Sequence, residues 1–493
     1  MAYVEVFCLL FFSAFIFHLI KRPRIGLNEP PLAPYRYPII GHTYRLLYDA
    51  ENFLKECREK YGEPFSLYVF GNVRTFKGVD STPEVLRNSD VFDHSLGINK
   101  TFPFVAIFKK FADPERSYMS RVVHEQISGK ISVYTSRIQK ELVSGIENFI
   151  GDCKEPKVIG KIQETMSRIV AKPVVNVFLG EECAKFGDII VSFISAEKAL
   201  DKMRFAPKFL LYIHHSLYKF VAMVPLKFGW NPMTQHRDIF VQRCKPIIEE
   251  RICKNESGTD VIDDNLLNNL FGSIYMLVFA AISTTTRAVS FALFEQLQIH
   301  NESNGYLSTE DVHKKMVKLN CFLKESFRYS SDIAMLPHTV VSNSYTFSNG
   351  ITVPKGRDVY VYSQDTAFNN KLYGETSNEF QPKRHITSFS NGKTVNSPAT
   401  KVDRSFIIFG GGKHACPGRF FSVNEIKICL HKLILKYNIR TESGKIVPSL
   451  KISSVKIPPI AGLILKIVIN NIVHSAYGFE NNMTYYSLSS VKI

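Results

Sequence analysis

The sequence predicts a mainly α-helical protein with small β-sheets, an α+β fold class built around one large core. Residues 81–330 carry apolar and polar residues at mostly helical spacing. Short stretches typical of strands lie far apart in the chain, at 65–80, 333–365 and 455–469. The 493 residues are 45% hydrophobic and 12% aromatic, so the chain is able to bury a large core and still line a pocket.

The amino-terminal residues predict a membrane anchor. Residues 4–20 are almost wholly apolar, and a helix of that length spans about 26 Å, the short end of a bilayer crossing. Lys21, Arg22 and Arg24 follow the apolar run and no Lys or Arg precedes it, which places the downstream chain on the cytosolic side. We therefore predict a transmembrane anchor with a basic stop over residues 1–24.

A proline-rich hinge is predicted over residues 25–45, because its closely spaced prolines disfavour both helix and sheet and hold the chain extended. Strands around turns at Gly71-Asn72 and Asn349-Gly350 follow in the body of the chain. Closing strands are expected around Pro458-Pro459. The tail over 470–493 is rich in Asn, Ser and Tyr, and no internal repeat is visible.

Net charge and cysteine usage exclude several classes. The formal net charge is +16, which suits nucleic acid, an anionic membrane surface or an acidic protein partner. No nucleic-acid-binding signature accompanies the scattered Lys and Arg residues, so we expect no nucleic-acid partner. The nine cysteines are widely spaced, odd in number and free of any CxxC motif. That pattern fits neither a disulfide framework nor a zinc site, and it suits a reducing compartment.

The sharpest motif is IIFGGGKHACPGRFF at residues 407–421. A cysteine thiolate that ligates an iron macrocycle has to sit on a tight loop beneath a flat ring, and glycines let the backbone approach that ring. Phe409 is placed to shield the sulfur of Cys416 from water. Gly418 precedes a predicted helix over 420–437, whose positive dipole end would lie near the thiolate.

A second motif joins two distant segments. Glu325 and Arg328 are three apart on a predicted helix, so they share one face. The element FQPKRH supplies Arg384, whose guanidinium would complete a buried Glu–Arg–Arg cluster that holds a loop to the helix. These three residues are predicted to have a structural role.

These motifs, in this order, resemble the cytochrome P450 family, in particular its fungal, membrane-anchored, microsomal members. The resemblance covers residues 1 to about 468 and rests on Glu325-x-x-Arg328, Phe380-x-Pro382-x-Arg384 and the Cys416 loop. It implies the P450 fold, with heme b held between a long central helix and the Cys-bearing loop. It also implies a single catalytic domain over 46–469.

The resemblance assigns the cofactor-binding residues. Cys416 is the implied axial ligand of the heme iron, on a loop shaped by Phe409, Gly410, Gly412 and Gly418. His414 and His338 are the implied partners of the heme propionates. The Trp-x-x-x-Arg pattern of the family is absent, since the only tryptophan is Trp230, and Arg121 and His124 are candidate substitutes.

The predicted central helix, at about 266–297, departs from the family pattern. Thr284 stands where the family has its oxygen-handling hydroxyl, and both Thr284 and Ser283 are expected to be catalytic. Ala281 replaces a usual glycine, and Ser283 replaces a usual acid. A carboxylate proton relay is therefore missing, so a water chain through Ser283, Thr284 and Thr285 is one alternative and a redirected reaction is another. A second membrane span is the competing interpretation of this stretch.

The implied activity is that of a heme-thiolate monooxygenase acting on a lipophilic small molecule such as a sterol, terpenoid or fatty acid. O2 is the co-substrate, and NADPH is the electron source through a flavoprotein reductase, with cytochrome b5 as a further donor. Basic residues near the thiolate would face that reductase: Lys413, Arg419, Lys427 and Lys432. The implied location is the endoplasmic reticulum membrane, single-pass, with a cytosolic catalytic domain.

Two other functions remain open at this stage. A heme-thiolate isomerase or dehydratase would rearrange an oxidised lipid without a reductase, and the Ala281 and Ser283 departures keep that alternative open. A non-catalytic heme-binding or lipid-binding protein is the third, and the presence of both Cys416 and Glu325 argues against it.

Overall fold

The computed structural model describes residues 22–38, 40–101, 116–202, 231–255, 264–294, 317–330, 335–388, 394–442, 449–452, 455–459 and 462–467, with a few isolated positions besides. Except for three isolated positions, the predicted anchor at 4–20 lies outside the described residues. Trp230 and the tail at 470–493 also lie outside them.

Helices make up most of the described chain. They are α1 (Thr43–Tyr48), α2 (Ala50–Tyr61), α3 (Thr82–Arg87), α4 (His94–Thr101), α5 (Arg116–Val122), α6 (Ile131–Phe149), α7 (Ile162–Leu179), α8 (Glu181–Ala184), α9 (Gly187–Lys202), α10 (Pro232–Asn255), α11 (Asp264–Phe294), α12 (Val317–Ser330), α13 (Ser363–Ala367), α14 (Asn370–Tyr373) and α15 (Arg419–Lys436). A π-helical turn over Val123–Ser128 continues α5, and 3-10 turns cover Glu375–Asn378, Pro382–His385 and Gly412–His414.

The strands are short and spread along the chain. They are β1 (Phe65–Val69), β2 (Asn72–Lys77), β3 (Phe92–Asp93), β4 (Lys157–Ile159), β5 (Met335–Val340), β6 (Ser344–Thr346), β7 (Thr352–Pro354), β8 (Asp358–Tyr362), β9 (Ile386–Ser388), β10 (Thr394–Asn396), β11 (Tyr437–Thr441), β12 (Leu450–Ile452), β13 (Val455–Ile457) and β14 (Leu463–Ile467). One sheet has five strands in the order β1-β2-β8-β5-β3, and β4 joins β14 and β11 in a three-stranded sheet.

The main core lies between long helices. Helix α7 packs against α6 and α11, α15 packs against α6 and α11, and α9 packs against α10. Met166, Ile169, Val170 and Val174 on α7 are all fully buried, as expected for a helix that is apolar on most sides. The predicted fold class, mainly helical with small sheets, is confirmed.

The predicted hairpins form, with one shift at a turn. Strands β1 and β2 pair antiparallel from Phe65 opposite Phe76 to Val69 opposite Asn72. The two positive-φ positions of the turn are Phe70 and Gly71, one residue before the predicted pair. Asn72 is therefore the first strand residue. The turn near Gly350 joins β6 to β7 as predicted.

The closing strands form on both sides of Pro458-Pro459, as predicted. Strand β13 pairs with β12, while β14 pairs with β11 and β4, so the segments on the two sides of Pro458-Pro459 belong to different sheets. Consecutive prolines lack two backbone N–H donors, which removes ladder hydrogen bonds at the point where a tight hairpin would need them.

Among the described residues, one helix is long and apolar enough to cross a membrane, the stretch Phe271–Phe294 of α11, with a mean hydropathy of 1.5. It packs against α7, α9, α10, α12 and α15, and most of it is buried within the protein. A core helix and not a second membrane span is therefore the correct interpretation of this stretch.

Candidate functional site

Backbone hydrogen bonds fold the loop that carries Cys416 back on itself. The Cys416 N–H donates to the Phe409 carbonyl over 2.7 Å, and the Gly410 N–H donates to the Ile407 carbonyl over 2.8 Å. Helix α15 begins at Arg419, so the thiol lies beside the first turn of that helix. The backbone carbonyl of Cys416 accepts a hydrogen bond of 2.7 Å from the Arg419 guanidinium. The position of the sulfur is thus set by the backbone on both sides.

Two glycines let this loop approach its neighbours. Gly410 and Gly412 have φ values of +74° and +58°, in the left-handed region that other residues rarely adopt. A Cβ atom on Gly412 would lie 2.1 Å from the carbonyl oxygen of Leu86, in helix α3. The Gly-rich run therefore fixes the loop against α3 and leaves no room for a side chain there.

Opposing effects act on the protonation of Cys416. Burial raises the pKa of its thiol above the ordinary value, because a thiolate is poorly solvated in this site. Hydrogen bonds from the N–H groups of Gly418 and Arg419, together with the Arg419 charge, act in the opposite direction. A bound metal cation would deprotonate the thiol, and the two N–H donors would then stabilise the thiolate.

The Cys416 thiol lines a cavity of about 800 Å³. That volume lies within the range of about 300–1,000 Å³ typical of small-molecule and cofactor sites. Apolar side chains form much of its surface, among them Phe291, Phe327, Leu336, Ile408 and Phe409. Among the described residues, the cavity thus combines one sulfur donor and large apolar side chains with hydroxyl and charged groups, which suits a large flat cofactor with an iron centre.

Helix α11 contributes hydroxyl groups to the same cavity. Thr284 and Thr285 line it, and Ser283 is not among the described residues that do. The Thr284 hydroxyl donates to the Ala280 carbonyl over 2.8 Å, one turn back along the helix. The Thr285 side chain is 1% exposed and its hydroxyl has no hydrogen-bond partner among the described residues. A buried hydroxyl without a partner at a cavity wall is suited to hold a water molecule or a ligand atom.

The glutamate of the second motif is the centre of a buried ionic network. Glu325 is fully buried and accepts hydrogen bonds from Arg328 at 2.7 and 2.9 Å and from Arg384 at 3.0 Å. His385 and the Gln381 N–H complete the shell at 2.9 and 2.8 Å. Sequence reasoning missed His385, although it directly follows Arg384.

Electrostatics keep this glutamate ionised. Burial by itself would raise the pKa of Glu325, but hydrogen bonds from Arg328 and His385, the Arg328 charge and the Gln381 N–H lower that pKa to about 2. Arg328 also donates to the carbonyls of Ala367 and Ser377, so the network holds the segment after α13 to helix α12.

Three histidines gather at one edge of the cavity. His94 and His414 line it, whereas His338 is 2% exposed and lies behind His94, with 4.9 Å between their ring centroids. His94 was not predicted from sequence. The only signal that could have found it was the pairing of β3 with β5, and a two-residue strand carries no usable pattern.

The two candidates from the early helical region lie elsewhere. Arg121 and His124 are exposed, and neither is among the described residues that line the cavity. Ser120, one position before Arg121, does line it. Among the described side chains of α5, the cavity lining therefore includes a hydroxyl and no cationic group.

The prediction of a basic surface near the thiolate is wrong for one of its four residues, Lys427. Lys427 is 2% exposed, and burial lowers its pKa to about 8, so it is not part of any docking surface. It lies on α15 at a position that faces the core, which the charge pattern alone did not reveal. Lys413 is exposed and paired with Asp90 at 3.0 Å.

Helix α15 also holds a carboxyl group that sequence reasoning missed. Glu425 is fully buried, and its carboxylate oxygens have no hydrogen-bond partner among the described residues. Burial raises its pKa well above the ordinary value. Its place on an otherwise apolar helix face, nine residues after Cys416, was the available signal.

Comparison with known proteins agrees with this fold and site. The family model described as Cytochrome P450 matches residues 30–464, so the chain belongs to the cytochrome P450 family. The family implies a heme cofactor, and the cavity with its Cys416 donor fits that group.

Several fungal relatives are similar over part of their length. A cytochrome P450 monooxygenase 71 of Postia placenta is 26% identical over 312 residues, 57% of this chain and 61% of the relative. An ent-kaurene oxidase of Gibberella intermedia is 24% identical over 354 residues, 66% of this chain and 65% of the relative. The matches thus span about six tenths of the length of these curated relatives.

A solved structure shares the fold. The retinoic acid-bound cyanobacterial CYP120A1 superposes with a TM-score of 0.64 at 18% identity, covering 90% of this chain and all of that one. At this identity the likeness concerns the fold alone.

Proposed function

We propose that this protein is a heme-thiolate monooxygenase that inserts one oxygen atom of O2 into a lipophilic small molecule. One observation carries the proposal: the Cys416 thiol, beside two backbone N–H donors, lines the same apolar cavity as the hydroxyls of Thr284 and Thr285. The reaction consumes RH, O2, NADPH and a proton and yields ROH, water and NADP⁺.

Cys416 would hold the iron of heme b, and the Phe409 ring would keep water from the sulfur. When bound, the heme would supply the reductive activation of O2, with one oxygen atom inserted into a C–H bond and the other released as water. The protein contributes orientation and proton supply. Gly418 and Arg419 would hold the thiolate through their N–H groups and so would tune the electron density that the sulfur gives to a bound iron.

Thr284 and Thr285 are the proposed proton-handling groups. Both hydroxyls lie at the cavity wall, and that of Thr285 has the capacity to bind a water molecule because no described residue occupies it. No carboxyl group stands at position 283, so the proton would pass through hydroxyls and water. Ser283 remains a sequence prediction that cavity geometry favours less than Thr285.

The substrate class follows from the cavity walls. Phenylalanine, leucine and isoleucine side chains supply the large apolar groups of the lining, which favours a sterol, a terpenoid or a fatty-acid-like molecule. The ent-kaurene oxidase relative is named for a substrate of that lipophilic kind. We further propose single-pass anchoring in the endoplasmic reticulum membrane and electrons from NADPH through a flavoprotein reductase, with cytochrome b5 as a second donor.

The test is reconstitution of the full chain with heme and a P450 reductase. NADPH consumption that depends on an added lipid, with formation of a hydroxylated product, supports the proposal. A panel of sterols, terpenoids and fatty acids, read by the spin-state shift of the ferric heme, identifies the ligand class. Heme binding without any NADPH consumption across the panel would reject monooxygenase activity.

An isomerase or dehydratase acting on an oxidised lipid is the second candidate. Two observations favour it: the absence of an acid at Ser283 and the bond from the Thr284 hydroxyl to the Ala280 carbonyl, which occupies that hydroxyl as a donor. The same reconstitution distinguishes the two, because rearrangement of a lipid hydroperoxide needs neither NADPH nor reductase.

A further inference from the structure

A π-helical turn lies against the Cys416 loop. The turn covers Val123–Ser128, and the Gly129 N–H closes it by donating to the His124 carbonyl, five residues back, over 2.8 Å. A π turn takes one residue more than an α turn, so the side chains after it are displaced by one position, about 100° around the helix axis. Turns of this kind occur frequently at functional sites. The irregular backbone therefore decides which side chains the turn presents to the loop.

Both ends of this turn contact the same part of the loop. The Ser128 hydroxyl donates to the Pro417 carbonyl over 2.8 Å, and Ser128 is only 9% exposed. At the other end, the Val123 Cγ1 atom lies 3.9 Å from the place that a Cβ atom on Gly418 would occupy. The carbonyl of Pro417 and the N–H of Gly418 belong to one planar peptide group. The turn thus holds this peptide group by a hydrogen bond to its oxygen and by packing beside Gly418.

We propose that Ser128 is a positioning residue for the Cys416 thiolate and acts through the peptide group between Pro417 and Gly418. The Ser128 O–H donates to the oxygen of this group, and the N–H of the same group donates to the Cys416 sulfur. A hydroxyl on one helix is therefore connected to the sulfur by two hydrogen bonds in series. This proposal rests on the proposed function, because it concerns the sulfur that would ligate the heme iron.

Hydrogen bonds in series strengthen one another. A donor on the carbonyl oxygen polarises the peptide group and makes its N–H a better donor, by about 10–30% per bond. A stronger N–H···S bond withdraws charge from the thiolate, and a less electron-rich sulfur favours the ferrous over the ferric state of a bound iron. The Ser128 hydroxyl would therefore raise the reduction potential of the bound heme.

The charge beside the sulfur is held by different contacts. The Arg419 guanidinium donates to the Cys416 carbonyl at 2.7 Å and to the Thr400 carbonyl at 3.1 Å. Neither carbonyl belongs to the peptide group that Ser128 contacts. A substitution of Ser128 therefore alters the polarisation of that group and leaves the Arg419 charge in place.

The experiment compares valine with threonine at position 128 in the heme-loaded full chain. The two side chains have nearly the same shape, and only threonine carries a hydroxyl. The reduction potential of the heme is measured without reductase or substrate. We expect S128V to shift the equilibrium about 1.3- to 4.5-fold towards the ferric state, as for a 10–30% change in one hydrogen bond to a charged group. That shift is about 7–39 mV to lower potential, at 59 mV per tenfold change.

Two further expectations separate this role from packing. S128T keeps the hydroxyl and should retain the wild-type potential. The iron–sulfur stretching frequency of the ferric protein, read by resonance Raman spectroscopy, should rise in S128V because a more electron-rich sulfur binds iron more strongly, and it should stay at the wild-type value in S128T.

Ser192 offers a matched control. Its hydroxyl donates to the His236 carbonyl over 2.9 Å, between α9 and α10, and the residue is 3% exposed. S192V removes a buried hydrogen bond of the same kind far along the chain from the Cys416 loop. We expect it to lower the unfolding temperature and to leave the reduction potential unchanged.

The remaining outcomes also decide the matter. Equal potentials in S128V and the wild type would overturn the proposal, and so would a shift of equal size in S128T or S192V. If S128V did not bind heme, S128A, which removes only the hydroxyl, would be compared with the wild type and should shift in the same direction. A wild type that binds heme without the red-shifted absorption of its reduced carbon monoxide complex would reject the proposed function itself. With that absorption present, equal potentials would reject the role of Ser128 alone.

Discussion

Two walls of the cavity, one formed by the Cys416 loop and the other by helix α11, are held in place in different ways. The Cys416 wall is held by backbone: positive-φ glycines, N–H groups directed at the sulfur and a loop that rests on Leu86. The α11 wall is formed by side chains on one regular helix, among them Thr284 and Thr285. Backbone-defined geometry leaves few alternatives at each position, whereas a regular helix accepts a different side chain without a change in its backbone. The first wall matches its family pattern closely and the second departs from it.

The largest expected effect is at the ligand on the first wall. C416S should abolish the red-shifted absorption of the reduced carbon monoxide complex and reduce turnover to background, since an alcohol does not replace a thiolate on iron. C253S, at an exposed cysteine on α10, is the matched control and should leave both unchanged. If C416S kept the thiolate spectrum, the central assignment of the first wall would be lost.

Next in size is the ionic network that supports the Cys416 wall from α12. E325Q removes the charge that Arg328, Arg384 and His385 all face, and loss of one partner of a buried pair costs about 3–5 kcal/mol. Urea unfolding should detect that loss. E375Q, at a glutamate that the described structure does not place in this network, is the control. A change below about 1 kcal/mol, the size of a surface pair, would contradict the burial of this cluster.

The ionic network around Glu325 also predicts that the folded protein loses stability as the pH falls. The folded-state pKa of Glu325 is about 2, below its ordinary value of 4.5, so its ionised form stabilises the fold. That contribution is complete above about pH 5 and is lost as pH falls from 4.5 towards 2. Stability measured from pH 6 to 3 should therefore fall more steeply for the wild type than for E325Q. Parallel profiles would exclude Glu325 as the responsible group.

On the second wall, the hydroxyls should matter to unequal degrees. T284A and T285V should each lower the ratio of product formed to NADPH consumed by about 100-fold, the lower limit of what a positioned proton donor contributes. S283A should stay within twofold, because Ser283 is outside the described cavity lining. Released peroxide reports the difference. An S283A variant that leaks as much peroxide as T285V would restore Ser283 to the relay.

The smallest effects compare glycine and alanine on the two walls. G412A forces a Cβ towards the Leu86 carbonyl at a positive φ, and we expect a loss of about 1–3 kcal/mol. A281G adds a glycine inside α11 and should cost about 1 kcal/mol. Thermal unfolding of both variants tests whether backbone geometry is the stricter constraint. An equal or greater loss for A281G would reverse the comparison.

Sequence reasoning succeeded where chemistry depends on neighbours in the chain. The Cys416 loop, the central helix and the pair Glu325 and Arg328 each fall within a short window, so spacing alone predicts their geometry. Central-helix bounds of 266–297 were expected, and the observed helix is Asp264–Phe294. Local periodicity was sufficient for these elements because each is long or tightly constrained.

Where distant segments meet, sequence reasoning failed. His94 reaches the cavity through a two-residue strand paired with β5, and no local pattern predicts such a pairing. The charge of Lys427 predicted a surface position, yet its helix face is turned to the core. Each error concerns a partner that only the tertiary fold supplies.

The proline-rich segment has a mechanical consequence. The Ser66 N–H donates to the Pro31 carbonyl, the Ala33 N–H to the Ser66 carbonyl, and the Thr352 N–H to the Asn28 carbonyl. Glu29 forms an ion pair with Arg357. Residues 28–33 are thus bonded to two separate sheets, which restricts their movement relative to the body of the protein. Any force or orientation imposed on the chain before residue 28 is transmitted directly to the five-stranded sheet, whose strand β5 also forms the histidine edge of the cavity.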